Sequence, residues 1–375
     1  MTKFTRLCLF FLALTVIGHT QSTQLPKQLT NWDQIAMINE VWYKDGSRYV
    51  HSSFEYAGTG FLLDTGEDTL AVTAKHILWI AQPKQLENVA INGQLEKWWL
   101  HPKGDSTQGV FLDQLLNEDA GEMLGGPTGT IGQRDWLIFS IKEKIGNLPA
   151  LKARFNPLKV GEKLYYPACP YQSKDCILGE AEVLSTHGNR IVFTKEVPGF
   201  IGGASGSPLV DSEGRVVGVL GGTSVHPQTG DPALYGISTH YLKKVLTKAP
   251  HLNDPLIPVG DVLWPIINAK GLEVALQHWQ QLKKEEVSHF YIDLLPETFN
   301  RVGKEMMELG QLKAAITWFK ASFEDNPWLQ STRKLLAQAY EKYGKKEAAR
   351  TTLQQLLEKW PQDKEAKKSL ERLSQ

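Results

Sequence analysis

The chain changes character near residue 250, and that break limits what it can fold into. Upstream, short apolar or β-branched runs alternate with glycine-rich and acidic turns; downstream of Gly271, apolar residues fall at helical spacing and glycine nearly vanishes. The upstream runs are Phe54 to Leu63, Thr69 to Thr73, Asp135 to Ile141, Lys163 to Tyr166, Ala181 to Leu184, Arg190 to Thr194, Ser207 to Val210 and Arg215 to Leu220. Asp64-Thr-Gly-Glu-Asp68 and Asp211-Ser-Glu-Gly214 supply turn chemistry between neighbouring runs. Many short strands joined in this way argue for an antiparallel sandwich or barrel. Pro250, Pro255, Pro258 and Pro265 mark a stiff, irregular connection. The expected order is an all-β unit over residues 30–249, a proline-rich linker over 250–270 and an all-α unit over 271–375.

The helical tail repeats itself. Gly310 and Gly344 are 34 residues apart, and so are Ala315 and Ala349, Pro327 and Pro361, Met306 and Tyr340, and Phe319 and Leu353. Small residues let two helices approach closely, and the proline closes each unit. A 34-residue period with these landmarks resembles the tetratricopeptide repeat, with Gly303 and Phe299 filling two more of its positions. Arg333 departs from it, standing where a bulky aromatic is usual. Gly271 to Lys283, with Ala275 and Trp279, reads as the second half of an irregular earlier repeat. Two full repeats are too few for independent stability, so the tail should pack on the segment around 271–295, on the β unit or on a partner. Repeat stacks of this kind present surfaces for protein contact, and they are expected to be dispensable for any chemistry carried by the β unit.

The first residues carry a separate message. Lys3 and Arg6 precede an almost unbroken apolar run from Leu7 to Gly18, and small and polar residues follow. That layout predicts a secretory signal peptide over residues 1–20. A run of twelve residues is short for a membrane span, which needs about 20. No stable membrane anchor is therefore expected after cleavage, and the destination is the periplasm or the medium. Loss of this segment would remove Cys8 and leave Cys169 and Cys176, close enough in an exported chain to read as one small-loop disulfide, with two free thiols as the alternative. Two cysteines without a nearby histidine fall short of a zinc set, so no metal or other cofactor is expected. Lysine plus arginine and aspartate plus glutamate each number 41. Such balance gives no reason to expect nucleic acid as a partner.

Three segments carry possible chemistry. In Gly202-Gly-Ala-Ser-Gly-Ser-Pro208, glycines flank Ser205 and permit the tight turn that an exposed nucleophilic hydroxyl needs. The N–H groups of Gly203 and Ser205 are placed to form an oxyanion hole. In Leu70-Ala-Val-Thr-Ala-Lys-His-Ile77, His76 directly follows a buried strand and could serve as general base and acid. In Gln133-Arg-Asp-Trp-Leu-Ile-Phe139, Asp135 opens an apolar strand, a costly position unless it is paired. Orienting an imidazole is one way to pair it. Asp113, Glu118, Asp119 and Glu122 are rival carboxylates in a polar stretch that reads as helix-like.

The chain order His76, Asp135, Ser205 is that of the trypsin-like peptidases and not that of subtilisin or the α/β-hydrolases. Thr73-Ala-Lys-His76, Asp135-Trp-Leu-Ile and Gly203-Ala-Ser-Gly-Ser-Pro208 resemble that family's three motifs, particularly in its short bacterial members. Val217-Gly-Val-Leu-Gly221 matches the strand lining its substrate cleft, and Leu234-Tyr-Gly-Ile with Leu242-Lys-Lys-Val245 resembles its last strand and C-terminal helix. The resemblance spans roughly residues 35–248. It implies a double β-barrel followed by the helical repeats, His76, Asp135 and Ser205 as a catalytic triad, and a protein or peptide substrate. Ala204 replaces the acidic residue that pairs a new N-terminus in trypsinogen-like activation, so the oxyanion loop must be ordered by local packing or by substrate. Ile77 replaces a common cysteine, and uncharged Gly199 at the usual floor of the specificity pocket leaves cleavage preference open. A catalytically inactive peptidase fold serving as a binding scaffold, and an esterase, are the competing readings.

Overall fold

The structure is a computed structural model that describes residues 25–49, 56–80, 88–89, 95–123, 131–187, 189–196, 199, 201–249, 252–254, 256–285, 288 and 291–374. The expected signal segment lies outside them. Among the described residues no helix is long and apolar enough to cross a membrane.

Among the described residues fifteen strands build the β unit. They are β1 (Met37–Tyr43), β2 (Thr59–Asp64), β3 (Thr69–Thr73), β4 (Asn88–Val89), β5 (Leu95–Pro102), β6 (Gly109–Leu115), β7 (Asp119–Met123), β8 (Leu137–Ile145), β9 (Ala150–Lys152), β10 (Lys163–Ala168), β11 (Ile177–His187), β12 (Arg190–Thr194), β13 (Pro208–Asp211), β14 (Val216–Val225) and β15 (Pro232–Ser238). The first barrel runs β1-β5-β6-β8-β3-β2 and closes through the β1–β2 pair, with β9 added parallel to β2. The second closes as β10-β11-β12-β15-β14-β13. This is the expected double barrel.

Several strands are buried on both faces, which is why they read as continuous apolar runs. Along β2, Leu62 points into the first barrel with Ala71, Leu137 and Phe139, while Phe61 and Leu63 face the second barrel. There they meet Val72, Ile138, Tyr165, Val210, Val219 and Ile237, so the two barrels share a core. The segment ending β3 and the turn entering β13 meet at this junction.

Among the described residues four short α-helices, α1 (Trp32–Ile35), α2 (Ile77–Ile80), α3 (Ile131–Arg134) and α4 (His240–Leu246), accompany the barrels. The helical unit follows as α5 (Val259–Lys270), α6 (Leu272–Leu282), α7 (Pro296–Glu308), α8 (Leu312–Asp325), α9 (Gln330–Lys342), α10 (Lys346–Lys359) and α11 (Lys364–Ser374), with the short parallel pair β16 (Ile257–Pro258) and β17 (Ile292–Asp293). The 34-residue landmarks fall where close packing needs them. Ala315 and Ala349 are fully buried, and so is Ala275 in α6. Trp279, Phe299 and Trp318 stack successively, with centroids 4.2 Å apart at each step. Arg333, the departure from the repeat pattern, lies over the Phe323 ring at 4.5 Å.

Two expectations about local structure need correcting. The stretch read as irregular linker contains α5, with Pro258 just outside its start and Pro265 inside it. A proline within a helix costs about 3 kcal/mol. Burial of Val259 and Leu263 in the core shared with Trp279, Phe299 and Trp318 offsets that cost. The helical pair α5–α6 thus supplies the packing that two repeats alone would lack. The polar stretch around Asp113 to Glu122 is not helix-like: Asp113 lies in β6 and Asp119 and Glu122 in β7. Val110, Leu112 and Leu115 pack on the first barrel's core, and the ladder of β6 with β8 decides the conformation.

Candidate active site

Asp135 sits between α3 and β8, fully buried. Its Oδ1 accepts the backbone N–H of His76 at 2.8 Å, and its Oδ2 lies 2.7 Å from His76 Nδ1. Two contacts from one carboxylate fix both the main chain and the ring of His76. Burial disfavours the imidazolium, but the charge and hydrogen bond of Asp135 outweigh it and hold the His76 pKa above the ordinary histidine value.

Ser205 arrives from the other barrel on a turn pressed against this segment. Ser205 O accepts Thr59 N–H at 2.8 Å, and Thr59 Oγ1 donates to Gly203 O at 2.7 Å. Gly203 and Gly206 have φ of +94° and +88°. A Cβ at Gly206 would lie 2.1 Å from Thr59 O and 2.5 Å from Thr73 Oγ1, three residues before His76; one at Gly203 would lie 2.7 Å from Tyr171 N. Both conformation and contact therefore require glycine on each side of Ser205. Ala204 N–H bonds to Ile201 O, Gly206 N–H to Leu220 O and Ser207 N–H to Ala204 O. Among the described residues the N–H groups of Gly203 and Ser205 have no such acceptor.

The turn is ordered locally, as the uncharged Ala204 requires. Cys169 and Cys176 are joined by a disulfide. The loop they close carries Tyr171, whose N–H bonds to Gly202 O at 2.8 Å and whose ring backs Gly203. Cys169 N–H bonds to Thr59 Oγ1 at 3.0 Å, so one hydroxyl ties this loop to the serine turn.

Residues 58–219 match the family model of the trypsin-like peptidase domain, and residues 306–373 match that of a tetratricopeptide repeat. The chain carries a trypsin-like peptidase domain followed by tetratricopeptide repeats. No curated protein matches the chain. Among solved structures, the inactive form of a serine-to-alanine mutant of Rv3671c from M. tuberculosis H37Rv is 13% identical and covers 60% of this chain and 90% of its own. Its TM-score of 0.37 is too low to bear on fold or function.

Behind His76 the peptidase domain holds a buried ion pair that sequence reading missed. Lys75 Nζ lies 2.7 Å from Glu122 Oε1, with both side chains fully buried, and 5.0 Å above the Tyr241 ring. Burial pushes the Lys75 pKa down, against the pull of the Glu122 charge. Tyr241 Oη accepts from Asn117 Nδ2 at 3.2 Å and donates to Asn253 Oδ1 at 2.6 Å. Asn117 also bonds to Trp136 O and Ile138 N–H, just beyond Asp135. The network thus reaches the neighbours of both His76 and Asp135. A lysine beside His76 in an otherwise apolar segment was the available signal. Its partner, Glu122, reads in the sequence only as one of four rival carboxylates in a polar stretch.

Proposed function

We propose that the protein is an exported serine endopeptidase, with His76, Asp135 and Ser205 as its catalytic triad. What supports this most is the His76–Asp135 pair at 2.7 Å, set beside a serine turn in which the Gly203 and Ser205 N–H groups have no acceptor among the described residues. In this reading Ser205 Oγ attacks the carbonyl carbon of the scissile bond while its proton passes to His76 Nε2. Asp135 Oδ2 accepts a hydrogen bond from His76 Nδ1–H, which fixes the tautomer and stabilises the imidazolium without taking its proton. The Gly203 and Ser205 N–H groups take up the negative charge on the carbonyl oxygen. Collapse expels the amine with the proton from His76. Water, deprotonated by His76, then attacks the acyl carbon, and Ser205 Oγ leaves with the proton returned by His76. The predicted signal segment and the disulfide support export, since disulfides persist in oxidising compartments.

Because His76 must be neutral to accept the Ser205 proton, hydrolysis of a peptide should rise with pH. The midpoint should lie above the ordinary histidine value of about 6.5. Asp135→Asn should lower that midpoint as well as the rate, because it removes the groups holding the pKa up. Stability runs the other way. Protonated His76 contributes stability that is full below the unfolded-state value and lost as pH rises through the folded-state one. A rate that is flat from about pH 5 to 8 would rule out His76 as the base.

A further inference from the structure

Between the second barrel and the helical repeats lies a cavity of about 130 Å³ that the steps above do not use. The barrel lines it with Arg190 and Val192 of β12 and Ser224 and Val225 of β14; the helical unit supplies Leu295 and Trp328. Trp328 is a fixed wall. Its ring occupies the space where a Cβ on Gly230 would sit, in the turn joining β14 to β15. The Lys359 ammonium lies over the same ring, 3.4 Å from its centroid. Arg190 is fixed too, with its guanidinium 4.4 Å over the Tyr235 ring. Arg190 Nε and Trp328 Nε1 are buried donors with no hydrogen-bond partner among the described residues.

Two routes join this cavity to the candidate active site. One is β14 itself. Leu220 O accepts Gly206 N–H, next to Ser205, and the strand continues four residues to Ser224 at the cavity. At about 3.3 Å per residue that is roughly 13 Å, the span of about four residues of an extended peptide. Over this stretch β14 stays paired with β15, but β13 accompanies it only as far as Val219. The second route is α3, which ends beside Asp135. Leu295 Cδ1 comes within 3.9 Å of where a Cβ on Gly132 would lie, and Gln133 lines a small cleft with Leu294, Leu295 and Arg190.

We propose that the helical repeats form one wall of the substrate groove, and that this cavity takes a bulky apolar side chain of an extended polypeptide about four residues from the bond being cut. An apolar cavity of about 150 Å³ holds a benzene ring, so this one suits a side chain of the size of leucine. The inference deepens the peptidase reading, since it gives that site a partner in the repeats.

The test uses the full chain and a set of extended peptides bearing leucine or alanine at each position up to five residues from the cleavage point. Cleavage is measured with the native protein, and binding with the Ser205→Ala protein. At one position about four residues away, leucine should raise kcat/KM at least about tenfold over alanine, in line with burial of one apolar side chain. Trp328→Ala, which opens the wall, and Ser224→Phe, which fills the cavity, should each bring that ratio close to one. A variant that merely disturbs the catalytic centre lowers all the peptides alike and leaves the ratio intact. Cleavage with no leucine preference in the native protein, or a preference kept in both variants, overturns the proposal. Leucine-selective binding without any cleavage sinks the peptidase reading and leaves the cavity assignment standing.

Discussion

Replacing Ser205 by alanine should lower peptide hydrolysis by on the order of 10⁶, the loss seen when a triad nucleophile is removed. The fold should survive. The bonds that shape the turn are made by the main chain, Ser205 O with Thr59 N–H and Gly206 N–H with Leu220 O. Alanine keeps these bonds and adds nothing where Gly203 and Gly206 have no room. Thermal unfolding and circular dichroism of the variant should match those of the native protein. A variant retaining more than a few per cent of the native rate would mean that another group carries the reaction.

The largest expected effect on stability comes from Glu122→Ala. It leaves the Lys75 ammonium buried without its carboxylate, beside the Tyr241 ring. Breaking one side of a buried ion pair typically costs about 3–5 kcal/mol. That corresponds to a fall in Tm on the order of 10 °C for a domain of this size. The double variant Lys75→Met with Glu122→Leu should recover most of the loss, because a buried pair replaced by apolar groups of similar volume is often neutral. Equal losses in the single and double variants would show that the pair does more than compensate its own burial. The two residues flank the segments that carry His76 and Asp135, so the single variant should also lose activity near its melting range.

The sequence carried the architecture well wherever the physics was local or periodic. Strands such as β3 and β13, buried on both faces, announce themselves as apolar runs closed by turn residues. The repeats do so through small residues that recur every 34 positions and are fully buried at Ala315 and Ala349. The glycine-flanked serine, the histidine after a strand and the aspartate opening one were legible because each residue type is awkward at its position without a special reason. Tertiary effects were not legible. β5 and β6 carry Glu96, Lys97, Asp113 and Gln114 on their open faces and gain their strand conformation from pairing with β1 and β8. α5 tolerates Pro265 because of what Val259 and Leu263 bury. The Lys75–Glu122 pair joins residues 47 apart in the chain, and neither motif nor spacing foretells it.

The central claim is that Ser205 is an activated nucleophile. Incubation of the full chain with a peptidyl phosphonate directed at serine, followed by mass spectrometry of its peptides, tests this most directly. One covalent adduct is expected, on the peptide containing Ser205, formed faster as pH rises through the His76 midpoint and abolished in His76→Ala. No adduct across a panel of phosphonates with varied side chains, or an adduct on a serine elsewhere while Ser205 stays unmodified, would contradict it.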